Sequence, residues 1–579
     1  MTMKNILYIT LFFCITLMSS CSDDLEKYPL TQISPEIYFK TADDFRLYVN
    51  QFYEEMGNTG SFELGIYDDD AGTDNMVNNN PNSFLNNEYT VPVNDGTWDD
   101  AYGEIRNVNQ LFARSNGAEE EAQVYIGEAY FFRAFQYFRL LKRFGGVPWI
   151  SEPLGISDGE LYAPRLLRNQ LCDSIISDLD KAISKLNSVT ESDGRRVNKE
   201  ITLAFKSRVC LFEGTWEKYH GKKQTPFAVE GSNGTQYLKL AVEASQAVIN
   251  SGHYAIANDG SSEPYYNLFN QNDYSNNTEV LFWRQYSNAT HAQNLSSWIA
   301  QGREWGITED AIDAYLCTDG NPLSTTTVST NDYSLVTVVE NRDPRMGQTI
   351  FYPGVPTNID DNTGAVNATY AYPDLTQVRT GYHLRKGGSV KNTYLKLNLD
   401  EVGLIYLRYA EVLLNHIEAK AELYASEEAS LSQNDFDNTM NPIRDRVGLS
   451  HFNFGTPIND ADDEFSGEIP WYLVEIRRER RIELMAEGFR LDDIRRWAAA
   501  DKLINGRVFR GSKYQWYLDE GFYTQEDVPY FDTDGVLSPW LGSDVYNQGG
   551  YNFDVNRNYL YPIGQEQITL AKYTQNPGW

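Results

Sequence analysis

The chain is poor in the residues that staple or catalyse. Of its 579 residues only five are cysteines (Cys14, Cys21, Cys172, Cys210 and Cys317), and their wide spacing offers no disulfide framework. A core must therefore hold the fold by itself. Histidine is equally scarce. The six, at 220, 253, 291, 383, 416 and 451, form no His-x-x-x-His pattern, and no Cys-x-x-Cys pair accompanies them, so zinc chemistry has no sequence support. A phosphate-cradling glycine loop and a Gly-x-Ser-x-Gly elbow are also missing. Positive charge is short: 49 Lys and Arg face 81 Asp and Glu, a net charge of −32. Such a field repels polyanions and argues against a nucleic-acid partner. After the first residues no apolar run approaches a membrane-spanning length.

What is present begins at the N-terminus. Lys4 precedes an apolar run from Ile6 to Met18, shorter than the roughly 20 residues a spanning helix needs. Small residues follow, as at a signal-peptidase site. Leu17, Met18, Ser19, Ser20 and Cys21 resemble a bacterial lipobox, although methionine is less usual at its position. The reading is a lipoprotein signal over 1–20, a lipidated Cys21 with an extended tether over 21–36, and a single domain over 37–579. Pro29 and Pro35 keep the tether from becoming helical.

Aromatics are abundant: 39 Tyr, 28 Phe and 11 Trp make 13% of the chain, many beside Asn, Asp and Gly. Tyr and Trp pair a flat apolar face with a polar tip, which suits wet binding surfaces as well as cores. Apolar periodicity predicts helices near 41–55, 98–115, 119–143, 165–187, 199–218, 236–251, 308–316, 401–424, 433–447 and 471–501. In the segment Glu128–Arg143 polar residues occupy one narrow stripe, so that helix must be covered on several sides, as in a stacked array of helix pairs. Between the helices lie long polar, aromatic tracts at 57–97, 252–400 and 505–579, with a strand expected at 278–284. Tracts of that length are usually functional. The fold class expected is mostly α, a tetratricopeptide-like superhelix of helix pairs carrying loop-rich insertions with short strands.

Several motifs occur in one order along the chain: Thr97-Trp98-Asp99-Asp100-Ala101-Tyr102 running on to Asn109; Gly127 to Ala134 and on to Gly145-Gly146-Val147-Pro148; Arg196-Val197-Asn198-Lys199; Leu407 to Asn415; Asn441 to Gly448; Arg477 to Gly488; and Leu560-Tyr561-Pro562-Ile563 to Gly578. Together they resemble the SusD/RagB family, the surface nutrient-binding lipoproteins of Bacteroidetes. The resemblance implies the helix-pair domain, an outward ligand site made by loops, and docking on a SusC-like TonB-dependent β-barrel transporter. The acidic pair after Cys21 is similar to the surface-export signal of such lipoproteins, which implies an outer-membrane anchor with the domain facing the exterior.

The motifs themselves read as structure. Arg477, Arg478, Arg480, Arg481, Arg490, Arg495 and Arg496 interleave with Glu475, Glu479, Glu483, Glu487, Asp492 and Asp493 at helical spacing, which points to an internal charge network. Trp98 is expected to pack where its helix begins, with Thr97 as a cap. For the ligand site, a sugar needs planar aromatic faces together with planar polar groups. The candidates are Tyr67, Asp69, Asp70 and Asn75 in the first loop, Trp298, Arg303 and Trp305 in the second, and Arg385 in the third. Asp68, Asp69, Asp70, Asp74 and Asn75 offer oxygens of the kind calcium takes, but without the EF-hand spacing. No cofactor, metal or catalytic residue is expected. The leading function is non-catalytic capture of oligo- or polysaccharide for the transporter; the alternatives are peptide or glycopeptide capture, and surface glycoside hydrolysis by a carboxylate pair.

If Cys21 carries the anchor, Cys21→Ala releases the protein from the membrane fraction, because stable anchoring takes two or more acyl chains. Retention of the variant after a carbonate wash would refute the assignment.

Overall fold

The computed structural model describes residues 39–56, 65–155, 158–191, 195–291, 293–528 and 530–579. The signal, Cys21 and the tether lie outside them. Among the described residues seven helices reach 13 residues or more: α1 (Gly96–Arg114), α2 (Gln123–Phe144), α3 (Arg168–Lys185), α4 (Lys199–Lys223), α5 (Thr235–Ser251), α6 (Tyr409–Tyr424) and α7 (Trp471–Glu483). Each packs against the one that follows it in the chain, the array expected of stacked helix pairs. The helix α2 buries Phe131, Phe132, Ala134, Tyr137, Phe138, Leu140 and Leu141, most of its circumference.

Residues 252–408 interrupt this array between α5 and α6. They contribute β2 (Val280–Arg284), β3 (Trp305–Ile307), β4 (Pro356–Ile359), β5 (Val366–Thr369) and β6 (Leu404–Arg408), while β1 (Met76–Asn78) comes from the first loop. Three antiparallel two-stranded sheets result: β1 with β3, β2 with β6, and β4 with β5. A second apolar core, including Tyr67, Trp298, Ile307, Tyr382 and Tyr517, is built by the insertion together with the first loop and the C-terminal tract, apart from the core that runs through the long helices.

Four expectations are corrected. Residues 404–408 form a strand before α6 starts, because Leu404 and Leu407 pair across to Arg284 and Phe282. The segment 433–447 is two short helices, Gln433–Asp437 and Met440–Asp445. The segment 471–501 is three: α7, Arg490–Arg496 and Ala500–Leu503. Between the first two of these Ala486 (φ 58°) and Gly488 (φ 76°) turn left-handed. Asp70 stabilises that corner by accepting from the backbone N–H groups of Ala486 and Arg490, both at 2.9 Å. The cap of α1 is Asp95, which accepts from the Thr97 N–H at 3.0 Å, and not Thr97. Trp98 does pack at that helix start, 5.4 Å from the ring of Phe144.

The charges of α7 are internal. Glu483 accepts from Arg446 (2.6 Å to each oxygen), Arg408 (2.6 Å) and Arg345 (3.0 Å). Glu479 pairs with Arg345 and Arg444, and Glu487 with Arg408 and Lys386. Burial alone would raise the Glu483 carboxyl, but the three guanidiniums hold it well below the usual carboxylate range. Its stabilising contribution is therefore present above the unfolded value of about 4.3 and is lost as pH falls through the depressed folded value. Removing one partner of a buried pair leaves uncompensated charge, so Glu483→Gln is expected to cost about 3–5 kcal/mol in denaturant unfolding at pH 7. A loss under about 1 kcal/mol, the scale of an exposed pair, would contradict a buried network.

Candidate functional site

The loop-built face centres on the turn that leads into β3. The helix Leu295–Gln301 ends, and Gly302 (φ 79°), Arg303 (φ 43°) and Glu304 (φ 70°) follow in left-handed conformations. Gly302 is required twice over: its φ is positive, and a Cβ there would stand 2.4 Å from Val378 Cγ2. Arg303 and Glu304 have no such freedom, and left-handed geometry costs on the order of 1–3 kcal/mol at each. The surroundings impose it. Trp305 N–H donates to the Gly302 carbonyl at 2.9 Å, and Asn79 N–H donates to that of Glu304 at 3.0 Å. Beneath the turn, His383 Nε2 donates to the Ile299 carbonyl at 2.6 Å. Burial lowers His383 to about 4, so the ring is neutral at pH 7. Strain held in this way is a recurrent mark of ligand-contacting loops.

The turn sets a row of flat groups side by side. The Arg303 guanidinium lies 4.0 Å over the Trp298 ring. Trp305 is half-buried and stands opposite Asn78 in the β1/β3 register, so the two side chains share one face. Asn80 is exposed next to it, its N–H donating to Asn78 Oδ1 at 3.0 Å. Arg379 donates to the carbonyls of Asn79 and Pro539 and lies 4.7 Å over the ring of Tyr530. Trp540 Nε1 donates to the Asn78 carbonyl at 2.9 Å. Aromatic faces, amides and guanidiniums presented together can stack on an apolar ring face and hydrogen-bond the hydroxyls at its edge.

Of the residues singled out in the sequence, the structure brings Trp298, Arg303 and Trp305 together on this turn. The others lie elsewhere. Asp70 is buried at the corner after α7, and Asn75 is buried with its Oδ1 accepting from Arg481 at 2.7 Å. Tyr67 is 1% exposed, its ring against Gly387. Arg385 is bidentate to Glu263 (2.6 and 2.9 Å) and stacks 3.9 Å over Tyr266. These four have their side chains inside the protein and face no solvent. Asp69 is exposed, but at a separate cavity of about 160 Å³ beside Lys142 and Asp492. Asp70 and Asp74 of the acidic loop are spent internally: Asp74, which burial would raise, is held down at about 2 by Arg481 and Arg490. Among the described residues no group of three or more His, Cys, Asp or Glu side chains could hold a metal ion. Sequence reasoning missed Asn78, Asn80, Arg379 and Tyr530. The run Asn78-Asn79-Asn80-Pro81 was the available signal for the first two.

A superhelix of helix pairs bearing a loop-built face defines the class of fold: a helical-repeat scaffold with short two-stranded sheets in its insertions. Residues 261–579 match the family model described as the SusD family, and residues 32–211 match one described as "Starch-binding associating with outer membrane". The chain belongs to the SusD family. Two SusD-like proteins of Formosa agariphila are similar to it, one 24% identical with 91% of this chain and 99% of the relative covered, the other 25% identical with 99% of each. Among solved structures, a SusD-like carbohydrate-binding protein of Bacteroides fragilis superposes with a TM-score of 0.69 at 20% identity, over 92% of this chain and 98% of the other. A surface glycan-binding protein A of Bacteroides fluxus superposes at 0.56 and 16% identity, over 93% and 100%. At these identities the likenesses establish the fold.

The two tryptophans should separate on truncation. Trp298 is 6% exposed, so Trp298→Ala is expected to cost about 3–5 kcal/mol of stability. Half-buried Trp305 should lose clearly less. Equal losses in chemical denaturation would mean that both belong to the core.

Proposed function

We propose that this protein is a non-catalytic glycan-binding lipoprotein of the outer membrane. It captures oligo- or polysaccharide on the platform of Trp305, Arg303, Asn78 and Asn80, and passes it to a TonB-dependent β-barrel transporter. The observation that carries the reading is the left-handed turn at 302–304, which spends conformational energy to present Trp305 and Arg303 beside the asparagines of β1. Family membership supports the cargo class, and the description of the N-terminal match supports association with the outer membrane. The lipobox-like Cys21 supplies the anchor in this reading, and the large barrel, whose lumen is plugged, supplies the route inward.

Stacking on a planar ligand face is worth about 1–3 kcal/mol per aromatic platform where it has been measured on bases, an upper guide for sugars. Trp305→Ala should accordingly weaken binding of the recognised glycan at least about fivefold, with the helical signal intact. Calorimetric titration against a polysaccharide panel checks this. Unchanged affinity would remove the turn from the site, and release of shortened sugars by the purified protein would replace capture with hydrolysis.

A further inference from the structure

A second cleft, of about 430 Å³, opens where the 3-10 turn Asn50–Glu55, which follows the short helix Ala42–Val49, meets the β2/β6 sheet. Its lining includes the aromatic rings of Tyr53 and Tyr406 and the polar groups of Arg195, Arg284, His291 and Glu54. None of these residues belongs to the platform around Trp305, from which the cleft is separated along the chain by the helix Leu295–Gln301, roughly 10 Å long at 1.5 Å per residue. The volume lies in the range of small-molecule sites.

The charge of the cleft runs against that of the chain. Two guanidiniums face one carboxylate, in a protein of net charge −32. Arg284 is largely enclosed, its side chain 14% exposed, and its guanidinium lies 5.8 Å over the buried ring of Tyr286. It donates to Glu54 at 2.6 Å, and its Nη2 lies 3.4 Å from His291 Nε2. His291 is itself fixed over Tyr286, with ring centroids 5.6 Å apart. Glu54, in contrast, has a side chain 72% exposed. An exposed carboxylate holds its partner weakly and gives way to a better-placed anion. A guanidinium seated over the buried Tyr286 ring and covered by a displaceable carboxylate is a preformed receptor for a planar or tetrahedral anion.

We infer that this cleft is a second carbohydrate subsite, selective for sugars that carry an anionic substituent, a carboxylate or a sulfate ester. The anion takes the place of Glu54 on Arg284 while the sugar ring lies along Tyr53 and Tyr406. The inference rests on the reading of the protein as a glycan binder and adds the charge class of part of its ligand.

The test uses the full mature domain and three probes by calorimetry: tetragalacturonate, a sulfated galactan tetrasaccharide, and the methyl ester of tetragalacturonate as the neutral counterpart. At least one anionic probe should bind more tightly than the neutral one. Arg284→Gln should weaken that probe about tenfold or more and leave the neutral one unchanged. Glu54→Gln, a surface change that leaves the fold intact, should tighten the anionic probe. Trp305→Ala should leave the anionic preference in place. Equal binding of charged and neutral probes, or no gain in Glu54→Gln, overturns the inference even if Arg284→Gln proves unstable. If neutral glycans from the polysaccharide panel still bind through Trp305, only the second subsite fails. If no glycan of either kind binds, the proposed function fails with it.

Discussion

The structure depends on one buried ionic spine. Glu479, Glu483 and Glu487, spaced at four residues on α7 and its continuation, meet Arg345, Lys386, Arg408, Arg444 and Arg446, with Glu279 and Asp343 completing the balance. Desolvating so many charges is costly, and an apolar replacement of equal volume could be as stable. What the spine provides is register. Arg345, Lys386 and Glu279 come from the insertion, Arg408 from the end of β6, and Arg444 and Arg446 from the segment after α6. A guanidinium that must meet two carboxylates tolerates one arrangement of the elements that bear them.

The platform is fixed by the same element through a second set of contacts. Arg481 of α7, together with Arg490, grips Asp74, and Arg481 also holds Asn75. Asp70 binds the corner that follows α7. These contacts hold the first loop immediately before Met76, where β1 begins, and β1 in turn sets the register of β3 and so the position of Trp305. Two carboxylates of the acidic loop, Asp70 and Asp74, thus tie the candidate platform to the helical scaffold without being part of it.

Much of this was legible in the sequence. Helical periodicity located the seven long helices, because a buried helix repeats its apolar residues whatever surrounds it. The alternating charges of 475–496 announced an internal network, since seven unpaired arginines on one helical stretch would repel one another. Less visible was anything set by contacts distant in sequence. The corner at Ala486–Gly488 depends on Asp70, more than 400 positions away, and no local pattern marks it. The same reason explains Asp70, Asn75 and Arg385. Their residue types suit a sugar site, but long-range partners had already claimed them. Arg379 and Tyr530 stayed hidden because only the folded loops bring them to β1. Trp298 and Trp305, seven residues apart in one polar tract, were found together but could not be ranked until the 6% exposure of Trp298 was known.

If ligand sits on the scaffold-held turn at 302–304, hydrogen exchange with and without the recognised glycan is the most direct test of that placement. Protection on binding should be concentrated at residues 76–80 and 302–307, with the amides of α1 to α7 unchanged. Protection spread over the helical array, with those two segments unaffected, would contradict it.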